Sequence, residues 1–225
     1  MSSETEPRSE DVRLSLAFIP DAQKRADVGA LFALLETLRD IPARVTEPLM
    51  GQIRLCWWLE AFEEIRDGRA PRYHPLTEYI QRLIEQYGLP VRAFLDMVEG
   101  QEALFDRPLS LRDAMDVVEA GEATVTALAV QMLDPAADPA SGKQCARLCG
   151  LTAMRAGGFV RPDDFGPEEQ KHIRIDARVD AAHLPSNLMP LALPAVLAQD
   201  QWRGKPAGPL SRRWRLLTAF ITGKI

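Results

Sequence analysis

The chain has 225 residues, 46% hydrophobic and 26% charged, enough for one large or two small folded domains and incompatible with global disorder. Its 27 Lys and Arg against 32 Asp and Glu give a net charge of −5, so the chain as a whole is not a nucleic-acid binder. The charge is uneven: from Gln201 to Ile225 there are six basic residues (Arg203, Lys205, Arg212, Arg213, Arg215, Lys224) and no acid, which leaves −11 on the rest.

The opening MSSETEPRSEDVR is polar and acidic, unlike a secretory or transit leader. Residues 1–19 therefore read as a partly disordered segment ahead of a helical domain over 20–225. Between Asp21 and Asp40 the positions Val28, Leu31, Phe32, Leu35 and Leu38 repeat at the spacing of one helix face, and Pro42 is expected to stop that helix. A second helix is expected from Pro48 to the acidic stretch before Gly68, and a third from Pro75 to Tyr87, closed by Gly88. A fourth spans Pro90 to Phe105. Ser110 and Asp113 are spaced as a capping box ahead of a long helix reaching Leu133. DPAADPASG (134–142) reads as an exposed linker. Lys143 to Arg155 is again helical, GGFVRPDDFG (157–166) interrupts, and Pro167 opens a helix with Glu168 and Glu169 in its first turn. Ser186 and Ser211 are candidate N-caps for the last two helices. No run alternates with period two, so the class is all-α: a single bundle of eight or nine helices with one core. No apolar stretch is long enough to span a membrane.

Three cysteines, Cys56, Cys145 and Cys149, read as reduced thiols of a cytoplasmic protein. Cys145 and Cys149 are four apart, but two thiols without further ligands at metal spacing fit a buried structural pair better than a metal site. His74, His172 and His183 are scattered. Asp164-Phe165-Gly166 spells a kinase metal triplet without the glycine-rich loop or strand lysine of that fold. Glycine-rich phosphate loops and a nucleophile elbow are missing, so nucleotide and hydrolase chemistry lose their usual support.

Glu36 and Asp40 carry more information. At i and i+4 both carboxylates leave one helix face, where like charges repel unless a cation relieves them. Arg39 and Arg44 could supply that relief. The functional alternative is Mg²⁺, which takes oxygen ligands and keeps several waters, so two carboxylates plus substrate phosphate oxygens suffice to anchor it.

Here the sequence resembles the squalene/phytoene synthases. The matching residues are Arg25 with AlaLeuPheAlaLeuLeuGlu (30–36), then GluProLeuMetGlyGlnIleArgLeuCysTrpTrp (47–58) with Gly51, Arg54, Trp57 and Trp58, HisProLeu (74–76), and SerArgArgTrpArgLeuLeu (211–217). The likeness runs over most of residues 20–220. It implies the isoprenoid synthase fold, an all-α bundle around a central cavity in which two aspartate-rich motifs hold Mg²⁺ against prenyl diphosphates. Both motifs are degenerate here. The first keeps only Glu36 and Asp40. The second, Leu151-Thr152-Ala153-Met154-Arg155-Ala156, keeps Arg155 without its first Asp, and Val160 stands where the second belongs; Asp163 and Asp164 would need a shift of several residues to substitute. Ionising a diphosphate without its metals loses most of its electrostatic stabilisation.

The resemblance therefore implies the non-catalytic branch, which includes a mitochondrial complex I assembly factor. Three readings follow: a pseudoenzyme acting through a protein partner, possibly a respiratory-complex subunit, with no cofactor; a Mg²⁺-dependent prenyl transferase with atypical ligands; or a protein that holds an isoprenoid or lipid in its cavity. Glu36 and Asp40 are expected to face the cavity, with Arg155 opposite. Finally, Arg212, Arg213, Trp214 and Arg215 share a short amphipathic helix suited either to closing the bundle or to peripheral contact with a membrane's inner face.

Overall fold

The computed structural model describes residues 3–161, 166–202 and 208–225, and among them it is all-α with a single isolated bridge between Leu109 and Val160. The first helix is one the sequence reading missed. α1 (Glu10–Leu16) starts at Ser9, whose Oγ accepts from the Val12 N–H, with Glu10 and Asp11 favouring the positive end of the dipole. The segment 1–19 was expected to be partly disordered; within it α1 is formed, and Leu16 and Ile19 are buried in the core.

α2 (Ala22–Arg44) is capped by Asp21, which accepts from Gln23 N and Lys24 N. It runs two residues past Pro42 instead of stopping there: in the final turn proline costs one backbone bond, and burial of Ile41 and Pro42 offsets it. α3 (Pro48–Arg66) and α4 (Pro75–Tyr87) fall where expected, with Gly88 at φ 63° closing α4. The expected fourth helix is cut in two, α5 (Val91–Glu99) and a 3₁₀ turn over Glu102–Asp106. The break falls at Gly100, where a Cβ would lie 2.4 Å from that of Ala120. α6 (Leu111–Val118) has Ser110 as its N-cap and continues through a π turn (Glu119–Ala123) into α7 (Thr124–Leu133), the long helix expected. α8 (Lys143–Ala156), α9 (Pro167–Ala182), α10 (Met189–Trp202) and α11 (Pro209–Thr222) complete the chain. Neither expected late cap holds: Ser186 lies in a turn before α10, and Ser211 is inside the first turn of α11, behind Gly208. Short connections thus give more helices than the eight or nine expected.

The core is also divided where one was expected. One apolar cluster joins α2, α3, α4, α5 and α7 around Leu31, Phe62 and Phe94; the other joins α6 with α8 to α11 around Leu148, Leu193 and Trp202. Trp58 is buried and packs with Phe62, while Trp57 is half-buried and meets Trp58 edge-on at 5.2 Å. Adjacent residues on a helix point about 100° apart, so only one of the two indoles is fully inside.

Two polar devices fix α4. Asp27 on α2 is wholly buried and accepts from Gln23 Nε2 (2.8 Å), the Tyr79 hydroxyl (2.9 Å) and the Tyr87 hydroxyl (2.8 Å). Burial, reinforced by the Asp27 carboxylate, pushes the Tyr87 hydroxyl up to about 12. At the other end of α4, His74 is the N-cap: its Nδ1 accepts from the Leu76 N–H at 3.1 Å while Pro75 occupies the first helical position. Burial between Trp57 and Trp58 lowers the His74 pKa. A histidine depressed on folding stabilises fully above its unfolded value of about 6.5 and loses that contribution as pH falls below it. The melting temperature should therefore drop on acidification below about pH 6.5, and His74→Asn, which keeps an acceptor, should flatten that portion of the profile.

Candidate functional site

Between the two clusters lies a cavity of about 210 Å³, lined from α1, α2, the π turn, α7, α8 and α10. Phe32, Leu35, Ala146, Leu191, Pro194 and Ala198 make its apolar wall. Its polar face is an ion pair. The Arg39 guanidinium donates to both carboxylate oxygens of Glu122, with Nη2 to Oε2 at 2.8 Å. Burial alone would lower the Arg39 pKa, but Glu122 holds it above the ordinary value. Arg39 Nε is buried without a hydrogen-bond partner. The π turn sets this geometry: Glu119 goes to Lys143 and Arg147, while Glu122, three residues on, points at α2. Cys149 lines the cavity and Cys145 sits behind it with Sγ on the Ala177 carbonyl; burial pushes both thiols well above their usual range.

Both carboxylates were expected to face the cavity; Glu36 lines it, Asp40 is not among its lining residues, and the chain's own N-terminal segment holds both. Glu36 accepts from the backbone N–H of Arg8 (2.6 Å) and of Ser9 (3.1 Å), at the positive end of α1. The Arg8 guanidinium bridges to Asp40 and lies 3.6 Å from Glu36. Arg44 meets Asp40 at 2.7 Å, the i, i+4 relief the sequence suggested. Of the cations expected to neutralise the pair, Arg39 instead serves Glu122 and Arg155 lies over the Trp202 indole, 5.7 Å from its centre. The expectation of Arg155 opposite Glu36 and Asp40 is thus corrected: α8 turns Thr152 and Ala153 to the cavity and Arg155 toward α10. Val160 is a core residue, and Asp163 and Asp164, with Phe165 of the kinase-like triplet, lie outside the described residues.

The oxygen donors at this site are already engaged by groups of the chain itself. Glu36 and Asp40 accept from a guanidinium and two backbone N–H groups, the cavity's Glu122 is taken by Arg39, and the α8 residues that line it, Thr152 and Ala153, carry no carboxylate. No group of three His, Cys, Asp or Glu among the described residues is arranged to hold a metal ion.

The squalene/phytoene synthase family model matches residues 6–154, well over half of the chain. The chain belongs to that family. No curated protein matches it individually. The match takes in α1 but ends within α8, so it is shorter than the likeness over 20–220 read from the sequence, and SerArgArgTrpArgLeuLeu (211–217) falls beyond it.

In this family member the shared residues serve mainly as structure. Arg25 Nη1 donates to the Ile19 carbonyl at 2.8 Å and ties α2 to the end of α1. Gly51 admits the Phe105 ring, which a Cβ would approach to 2.3 Å. Trp58 packs the core and His74 caps α4. Arg54 is exposed, as are Leu49, Met50 and Ile53 of the same string.

On α11 the basic candidates separate. Arg212 reaches back to Asp11 (3.3 Å) and Glu10 (3.5 Å), and Arg215 pairs with buried Asp200. Leu216 and Ala219 are buried, and Phe220 stacks on Phe18 at 4.7 Å. Arg213 and Trp214 face solvent. Arg203 and Lys205 lie outside the described residues. Among the described residues no helix is long and apolar enough to cross a membrane.

Proposed function

We propose that this chain is a non-catalytic member of the squalene/phytoene synthase family that acts through protein contacts, and that its place is in respiratory-complex biogenesis, as in the branch its motifs resemble. The observation that carries the proposal is the occupation of Glu36 and Asp40 by Arg8 and the backbone of residues 8 and 9. Magnesium would have to displace an internal cation and would still find no carboxylate on Thr152 or Ala153. Cavity size supports the same reading. At about 210 Å³ it is below the ~300 Å³ at which ordinary ligand pockets begin, and two prenyl chains need far more. Leu49, Met50 and Ile53, exposed within the string that carries the family likeness, supply apolar area for a partner.

The test is incubation of the purified chain with farnesyl or geranylgeranyl diphosphate and Mg²⁺, followed by extraction and mass spectrometry. The expected result is unchanged substrate, both for the natural chain and for Arg8→Ala, since freeing the first pair restores no second motif. A squalene- or phytoene-like product would make the chain a prenyl transferase and end the proposal.

A further inference from the structure

We propose that the outer face of α11 docks this protein on an anionic lipid surface. The proposal goes beyond the reading of the cavity and does not depend on it. α11 has two apolar sides. The inner one, Leu216, Ala219 and Phe220, closes the second core. The outer one consists of Leu210 (82% exposed), Trp214 (67%), Leu217 (40%) and Ile221 (72%), spaced i, i+4, i+7 and i+11 in one stripe. Closing the bundle uses the first stripe and leaves the second without an internal purpose.

Charge decides which occupant the stripe fits. The last 25 residues carry six cations and no acid. Among the described residues the carboxylates bonded to α11 are those of Glu10, Asp11 and Asp200, and they meet Arg212 and Arg215, not Arg213 or Lys224. What remains outward is Arg213 beside Trp214, with exposed Lys224 at the end of the stripe. An aromatic and aliphatic stripe bordered by uncompensated cations suits a headgroup layer, where the indole sits at the boundary and the guanidinium meets phosphate. A second copy fits poorly, because pairing two such faces sets cation against cation. The 14 residues of α11 span about 21 Å, short of a ~30 Å hydrocarbon core, so the helix lies in the surface plane.

Co-sedimentation of the full chain with phosphatidylcholine vesicles, with and without phosphatidylglycerol, tests the proposal. Binding should appear with the anionic lipid, weaken as salt rises, and blue-shift the tryptophan emission, a shift absent in Trp214→Phe. Trp214→Glu and Leu210→Glu, both at exposed positions and checked for an unchanged melting temperature, should each weaken binding by about tenfold or more. Arg213→Ala should weaken it about fivefold, and Arg215→Ala, though it removes the same charge, by less. Three results would overturn the proposal: no sedimentation with anionic vesicles at low salt, binding unaffected by Trp214→Glu and Leu210→Glu, or self-association lost in Trp214→Glu without any vesicle binding.

Discussion

Glu122→Ala is expected to destabilise the fold by about 3 kcal/mol, read as a lower denaturation midpoint at unchanged slope. The mutation does more than delete a bond. It strands the Arg39 guanidinium, most of whose surface is protein-covered and whose Nε has no partner even in the natural chain. Removing one member of a buried pair leaves a charge that the apolar wall of Phe32 and Leu35 cannot solvate. The double change Arg39→Met with Glu122→Leu, which removes both charges and keeps volume, should lose less than Glu122→Ala alone. If the single and double variants proved equally unstable, packing rather than charge would govern this site.

Asp27→Ala is the other large expected loss, about 2–4 kcal/mol. Asp27 is fully buried and gathers two tyrosine hydroxyls and a glutamine amide, so its removal leaves three donors facing each other without an acceptor. For a chain of this size the loss corresponds to roughly 5–15 °C in melting temperature. Tyr87→Phe removes one donor and leaves the carboxylate its other partners, so it should cost about 1 kcal/mol. Thermal denaturation of the two variants side by side measures the difference; a Tyr87→Phe loss as large as that of Asp27→Ala would mean that the one Tyr87 hydroxyl bond, not the gathering of three donors on the carboxylate, holds the joint.

The all-α class was legible because it rests on local rules. Apolar residues at helical spacing, Ser110 as a cap, and Gly88 in a left-handed cap act within a few residues of each other. The family was legible from one short string, Glu47 to Trp58. The site was only half legible. That Glu36 and Asp40 need a cation follows from their spacing, and Arg44 lies within reach of that rule. Arg8 does not, being separated from Glu36 by 28 positions in sequence. Its neighbourhood did carry a signal: Ser9 followed by Glu10 and Asp11 is how a helix begins. Arg39 and Arg155 were misjudged for one reason. A residue's place on a helix face fixes its direction from its own axis, but which neighbour lies there depends on how the helices are packed.

The π turn at Glu119–Ala123 has a consequence for how the molecule comes apart. Ala114, Val117 and Val118 ahead of it belong to one apolar cluster, whereas Val125, Leu128, Val130 and Met132 behind it belong to the other. One surplus residue in a helix turns everything downstream by about 100°, and here that rotation hands the apolar stripe from one half of the molecule to the other. The two halves are therefore threaded on a single continuous rod. Neither can loosen without stripping side chains from a segment whose other end is still packed, and the cavity between them opens only when both let go. Unfolding is then shared: the helix with the irregular turn couples the two halves, as does α10 with Leu191 in one cluster and Leu193 in the other.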